Sequence, residues 1–157
     1  MLSPDERKEI DEEVKRNASK QGACIEAMKI VQHHRGWVPD ESIREIAEHL
    51  EMSPDQLDGV ATFYNLIFRK PVGNHVIYLC DSVSCWIKGC SAVREHLTEK
   101  LGVDFGQTTK DTQFTLLPIQ CLGTCDHAPA MMIDDALFRD LTADFVDNIL
   151  RVYQSQK

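Results

Sequence analysis

Four of the six cysteines in this chain fall in two short pairs. Cys80 and Cys85 form a C-x4-C step, and Cys121 and Cys125 form a C-x3-C step about 35 residues later. Thiolates are nucleophiles and soft metal ligands, so cysteines grouped this way point to metal or redox chemistry. Each pair follows a strand-like run: His75-Val76-Ile77-Tyr78-Leu79 before the first, Phe114-Thr115-Leu116-Leu117-Pro118-Ile119 before the second. Loops at the ends of two strands can meet and present four thiolates together, the usual ligand set of a [2Fe–2S] cluster. Structural zinc uses the same donors but typically in C-x2-C turns. The wider steps here suit a two-iron rhomb better, and zinc stands as the alternative. Thiol–disulfide catalysis would call for C-x-x-C, which is absent, and a Rieske site needs two histidines on one iron.

The remaining cysteines read as structural. Cys24 lies on an apolar helical face and reads as a small buried hydrophobe. Cys90 repeats the C-x4-C step after Cys85. Its spacing to Val93, Leu97 and Leu101 assigns it to the buried face of a helix, pointing away from the loop site. The loop Asp81-Ser82-Val83-Ser84 offers backbone N–H groups to sulfur, and Gly123 permits a tight turn between Cys121 and Cys125. His127 reads as a surface residue beside the site. His33-His34 complements a helix C-terminus. Trp86 either shields the cluster or packs the core. Of Met131 and Met132, in a strand, one faces the core.

These loops need a scaffold. Ser3-Pro4-Asp5-Glu6 starts a first helix. A second runs through Cys24-Ile25-Ala27-Met28-Ile30-Val31 and stops at Gly36. Pro39-Asp40-Glu41-Ser42 opens a third, with Ile43, Ile46, Ala47 and Leu50 at helical spacing, and Ser53-Pro54 opens a fourth with Leu57, Val60 and Ala61 inward. Short helices bury enough surface only together, so residues 1–72 are expected to be a helical bundle. Arg69-Lys70-Pro71-Val72-Gly73-Asn74 marks the boundary. Residues 73–157 then read as a strand (75–79), a helix from about Ser84 to Leu101, strands 114–119 and 130–133, a turn at Asp134-Asp135, a strand 136–139, and a helix capped by Thr142 with Phe145, Ile149 and Val152 on one face. The fold class is α+β, and the β-α-β-β-α order is that of a thioredoxin-like half.

The net charge is −8, with 14 acidic against 10 basic residues in 1–72 and 11 against 7 in 73–157. Neither half is a basic surface, so nucleic acid is not an expected partner. No apolar run approaches the roughly 20 residues of a membrane span, and the N-terminus lacks a signal-peptide stretch. The expected location is therefore the cytoplasm, with any membrane association made through partners. Six cysteines without an export signal favour metal or redox chemistry over disulfides.

Several segments resemble one family. Tyr78-Leu79-Cys80-Asp81-Ser82-Val83-Ser84-Cys85, Gly106-Gln107-Thr108-Thr109, Phe114-Thr115-Leu116-Leu117-Pro118, Cys121-Leu122-Gly123-Thr124-Cys125-Asp126 and Pro129-Ala130-Met131-Met132-Ile133-Asp134 are similar to the thioredoxin-like [2Fe–2S] subunits (E-subunits) of bacterial respiratory NADH:quinone oxidoreductase (complex I). Gly36-Trp37-Val38-Pro39 and Val60-Ala61-Thr62-Phe63-Tyr64 extend the likeness into the helical part. The resemblance implies a helical bundle followed by a thioredoxin-like [2Fe–2S] ferredoxin domain, with Cys80, Cys85, Cys121 and Cys125 as cluster ligands. It implies an electron-transfer subunit with no NADH site of its own. FMN and NADH would be carried by the partner, the flavin-bearing NADH-oxidising F-subunit, and the other peripheral-arm subunits would be neighbours. The N-terminal helices would be a docking surface. The chain would then sit at the cytoplasmic face of the inner membrane through the complex. A similar module serves NAD-linked hydrogenases and formate dehydrogenases, which is the nearest alternative. A zinc-stabilised interaction domain is the alternative of another class.

Overall fold

The computed structural model describes residues 1–155, in two compact units that meet in sequence between Pro71 and Val72. In the first unit, α1 (Pro4–Arg16) starts at a complete capping box. The Glu6 N–H donates to Ser3 Oγ at 3.1 Å, and the Ser3 N–H donates to Glu6 Oε2 at 2.7 Å. These bonds satisfy helix-end donors that would otherwise be orphaned. A 3-10 turn (Lys20–Ala23) leads into α2 (Cys24–Arg35). Gly36 ends that helix at φ 81°, where a residue with Cβ would be strained. Then come α3 (Asp40–Leu50) and α4 (Pro54–Phe63), the latter opened by a second capping box at Ser53.

The helices share one core of Ile10, Met28, Val31, Ile46, Leu50 and Leu57. Arg35 ties three of them together through Glu6 on α1 and Ser42 and Glu45 on α3. Arg69 fastens the last segment of the unit to Asp40, Asp58 and the Val38 carbonyl. Cys24, expected to be buried within its helix, is the first residue of α2 and only half-buried against this core, because the 3-10 turn delays the start of the helix.

The second unit is built on a mixed sheet. Its strands are β1 (His75–Cys80), β2 (Gln107–Thr108), β3 (Phe114–Ile119), β4 (Met131–Ile133) and β5 (Ala136–Phe138), in the order β2-β3-β1-β4-β5. Only β1 and β3 pair in parallel; the other pairs are antiparallel. Between the parallel strands run α5 (Val83–Ile87) and α6 (Cys90–Leu101), and α7 (Ala143–Gln154) closes the chain. Side chains alternate along a strand. Ile77 and Leu79 of β1 therefore join Leu116, Met131 and Ile133 on one face, packed against Val93 and Leu97 of α6 and Val146, Ile149 and Leu150 of α7. The Asp134 carboxylate pins the β4–β5 turn to the start of β1, accepting from the Val76 N–H at 2.9 Å and contacting His75 Nδ1 at 2.7 Å.

Three features differ from the sequence reading. The helix expected from Ser84 to Leu101 is two helices, because Gly89 takes φ 91° and turns the chain between them. The two-residue edge strand β2 is too short to leave an alternating pattern. In α7 the buried face is Val146, Ile149 and Leu150, while Phe145 and Val152 are exposed. The i, i+3, i+4 stripe is displaced by one residue from the expected one, since the helix packs on the sheet from its Val146 side. Met131 is fully buried and Met132 only partly, as strand alternation requires.

Candidate metal centre

The parallel pairing of β1 with β3 builds the site. In register, Cys80 lies opposite Ile119, so Cys121 follows two residues beyond the strand end next to Cys80. The Asp81 N–H donates to the Ile119 carbonyl at 2.9 Å and the Cys80 N–H to the Ala130 carbonyl at 3.1 Å. The first bond holds the exits of β1 and β3 together, and the second ties the end of β1 to the residue before β4. Parallel strands end at the same edge of a sheet, so both cysteine loops leave from one place.

From there the two loops differ. The first winds at once into α5, which turns Cys85 inward and leaves Val83, Trp86 and Ile87 on the solvent side. Trp86 is 65% exposed, so it does not pack the domain core. Cys80 and Cys85 are both buried. The second loop is open. Gly123 adopts φ 73°, its N–H donates to Cys121 Sγ at 3.3 Å, and a 3-10 turn at Cys125–His127 returns the chain. Cys121 and Cys125 are exposed. His127 stays at the surface, where its Nδ1 contacts Asp140 Oδ2 at 2.8 Å.

The loops meet through apolar packing. Cys80, Cys85 and Ala128 form one small buried cluster with Ile119 and Leu122 against it. Ile119, Leu122 and Ala128 bracket the second cysteine pair in sequence, so its loop packs against the first pair. Cys90 belongs to the same cluster. That corrects its reading as a residue turned away with Val93 and Leu97. The left-handed turn at Gly89 starts α6 afresh, and its first residue, Cys90, packs with Cys80 and Cys85. The repeated C-x4-C step was the sequence signal for this neighbour.

Burial pushes the Cys85 thiol up to about 11, and the adjoining Cys80 side chain adds to the shift. Burial likewise raises Cys90, with Asp81 adding to it. A buried thiol of this kind is a poor free nucleophile near neutral pH. Metal binding instead displaces the thiol proton outright. A [2Fe–2S] cluster would be held by four cysteine thiolates, the donor set that Cys80, Cys85, Cys121 and Cys125 would supply. Two adjoining pairs of thiols, one lined by apolar side chains and one on a glycine-containing loop, fit that donor requirement.

A family model described as thioredoxin-like [2Fe-2S] ferredoxin matches residues 10–154. The chain belongs to this family. Among curated members, the NADH-quinone oxidoreductase E-subunit of Pseudomonas aeruginosa is 48% identical over 153 residues, covering 98% of this chain and 92% of the relative. The protein of the same name from Escherichia coli (strain K12) is also 48% identical, with the same coverage. Among solved structures, an NAD+-reducing [NiFe]-hydrogenase in the H2-reduced state superposes with a TM-score of 0.69 at 24% identity. That likeness covers 83% of this chain but only 22% of the hydrogenase chain, and it speaks to the fold. The family fold is thus the α+β architecture of a helical N-terminal part and a thioredoxin-like ferredoxin part.

Proposed function

We propose that Cys80, Cys85, Cys121 and Cys125 hold a [2Fe–2S] cluster and that the chain is the electron-transferring E-subunit of NADH:quinone oxidoreductase. The observation that carries this reading is the β1–β3 register, which sets the C-x3-C loop beside the C-x4-C loop in a chain of this family. When bound, the cluster supplies one-electron uptake and release. The residues here hold it and screen it. Cys80 and Cys85 are withdrawn from water among Ala128, Ile119 and Leu122, and the Gly123 N–H is directed at Cys121 Sγ. Hydrogen bonds to sulfur and solvent exclusion are the levers by which a protein sets a cluster's potential.

The partner in this reading is the flavin-bearing, NADH-oxidising F-subunit, within the peripheral arm of a complex on the cytoplasmic face of the membrane. FMN and NADH belong to that partner. Identity of 48% over 98% of this chain to two NADH-quinone oxidoreductase E-subunits supports this over the hydrogenase module, whose likeness is one of fold. Among the described residues, no helix is long and apolar enough to cross a membrane, so attachment in this reading goes through the other subunits.

Purified anaerobically, the protein should contain two irons and two acid-labile sulfides per chain, as a [2Fe–2S] cluster requires. Dithionite reduction should give a rhombic EPR signal. Cys121→Ser or Cys125→Ser should lose or alter that signal, and Cys24→Ser should leave it unchanged. A colourless, zinc-loaded protein would refute the reading. Co-purification with a flavoprotein that oxidises NADH tests the partner, and genes for membrane proton-pumping subunits beside this one favour complex I over a hydrogenase.

A further inference from the structure

The exposed end of the site is tied down by a contact that the ligand reading does not use. The loop of Cys121 and Cys125 runs into the 3-10 turn Cys125–His127. Asp140 meets the last residue of that turn twice. Its N–H donates to the His127 carbonyl at 2.9 Å, and its Oδ2 lies 2.8 Å from His127 Nδ1. An ionised carboxylate only accepts, so Nδ1 carries the proton in this bond. Asp126 comes no closer than 3.5 Å to the other ring nitrogen, too far to set the direction of the ring. Asp140 takes φ 49°, in the left-handed region that Asp tolerates better than most residues, and from there its N–H and its carboxylate face the same neighbour. The next residue, Leu141, is buried in the core that the sheet shares with α6 and α7, and its N–H donates to the Pro129 carbonyl at 3.1 Å. Thr142 then caps α7. The exposed cysteine loop is thus anchored to the packed linker between β5 and α7.

We infer that Asp140 is a positioning residue for the cluster: through His127 it holds Cys125, and with it the open loop, in place. The inference rests on the cluster assignment above and adds no ligand to it. Cys125 lies two residues before His127 and is exposed, so it lacks the apolar packing that fixes Cys80 and Cys85. Outer partners that orient a metal's ligands govern how firmly the metal is held and tune its potential. The side chains of Asp140 and His127 are 65% and 48% exposed, and a surface pair of this kind contributes little to global stability. Its effect therefore falls on local opening of the loop, the motion that exposes iron to a competing ligand.

The test measures loss of iron to EDTA, reduction potential and EPR in six full-length proteins: wild type, Asp140→Gly, Asp140→Asn, His127→Ala, Asp140→Gly/His127→Ala and Asp147→Ala. Glycine keeps the φ of 49° without strain and removes only the side chain, whereas asparagine tolerates that φ and still accepts from Nδ1. Asp147→Ala breaks a like contact, to His96 Nε2 at 2.7 Å, which joins α7 to α6 away from the cysteine loops. Asp140→Gly and His127→Ala should each lose iron about fivefold faster than wild type, the factor that an exposed pair worth about 1 kcal/mol gives. The double variant should be no faster than either, since both single changes remove one and the same bond. The potential and the EPR signal should shift in these three proteins. Asp140→Asn and Asp147→Ala should behave as wild type. Iron loss and potential that Asp140→Gly leaves unchanged, or that Asp140→Asn or Asp147→Ala alters as much, overturn the inference. A wild type without iron and sulfide instead refutes the cluster assignment. Amide hydrogen exchange over residues 121–128 then decides the role of Asp140: faster exchange in Asp140→Gly supports it, and equal exchange overturns it.

Discussion

Glu6 should make the helical unit depend on acid pH in a way that one substitution can isolate. Its carboxylate is 2% exposed and accepts from Arg35 Nε at 2.7 Å and Nη2 at 2.8 Å. The Arg35 hydrogen bonds, aided by the Ser3 N–H and opposed by burial, lower its pKa from 4.5 to about 2. A group with a depressed folded pKa stabilises the fold above its unfolded value and loses that contribution as pH falls through the folded one. At 1.36 kcal/mol per unit, the contribution is about 3 kcal/mol at pH 7, of which about 2 kcal/mol is gone by pH 3. Arg35 is 27% exposed on its side chain, so solvent screens part of this. A loss of about 2 kcal/mol for Glu6→Gln at pH 7 is therefore expected. Urea unfolding followed by far-UV circular dichroism at pH 7 and pH 3 measures it. The gap between wild type and Glu6→Gln should shrink to below about 1 kcal/mol at pH 3. Acid loss of a cluster would affect both proteins alike. A gap that is the same at both pH values would show that Glu6 acts by packing and not by its charge.

Other substitutions probe the unit that carries the cysteines. Gly73→Ala would set a Cβ 2.9 Å from the Thr112 carbonyl oxygen and 3.0 Å from two backbone carbons at the start of β3. None of these atoms is a flexible side-chain end, so thermal unfolding should show a loss of about 1–3 kcal/mol. Leu97→Ala empties a fully buried position between α6 and the sheet and should cost about 2–5 kcal/mol by chemical denaturation. Gly123→Val puts a β-branched residue at φ 73°, where no neighbour crowds a Cβ. The cost is conformational, about 1–2 kcal/mol. It should appear as faster loss of iron to a chelator and little change elsewhere, and an unaltered loss rate would show that this loop does not hold the metal.

Local chemistry was legible along the chain. Ser3 and Ser53 cap their helices and Gly36 ends α2, because each depends on residues only a few positions apart. The helix faces of α3 and α6 also followed from spacing, since a stripe of apolar residues must be buried somewhere. The stripe of α7 did not, because two overlapping stripes were possible and only packing on the sheet chose Val146, Ile149 and Leu150. The split at Gly89 escaped as well: glycine permits a left-handed turn but does not demand one. The sequence by itself determined that two cysteine pairs come at and beyond the ends of two strands. Only the tertiary structure decided that Cys80 stands opposite Ile119, which makes the loops neighbours, and that Cys90 packs beside Cys80 and Cys85. Strand register and the direction of a helix after a glycine turn are set by burial across the whole unit, which residues close in sequence cannot specify.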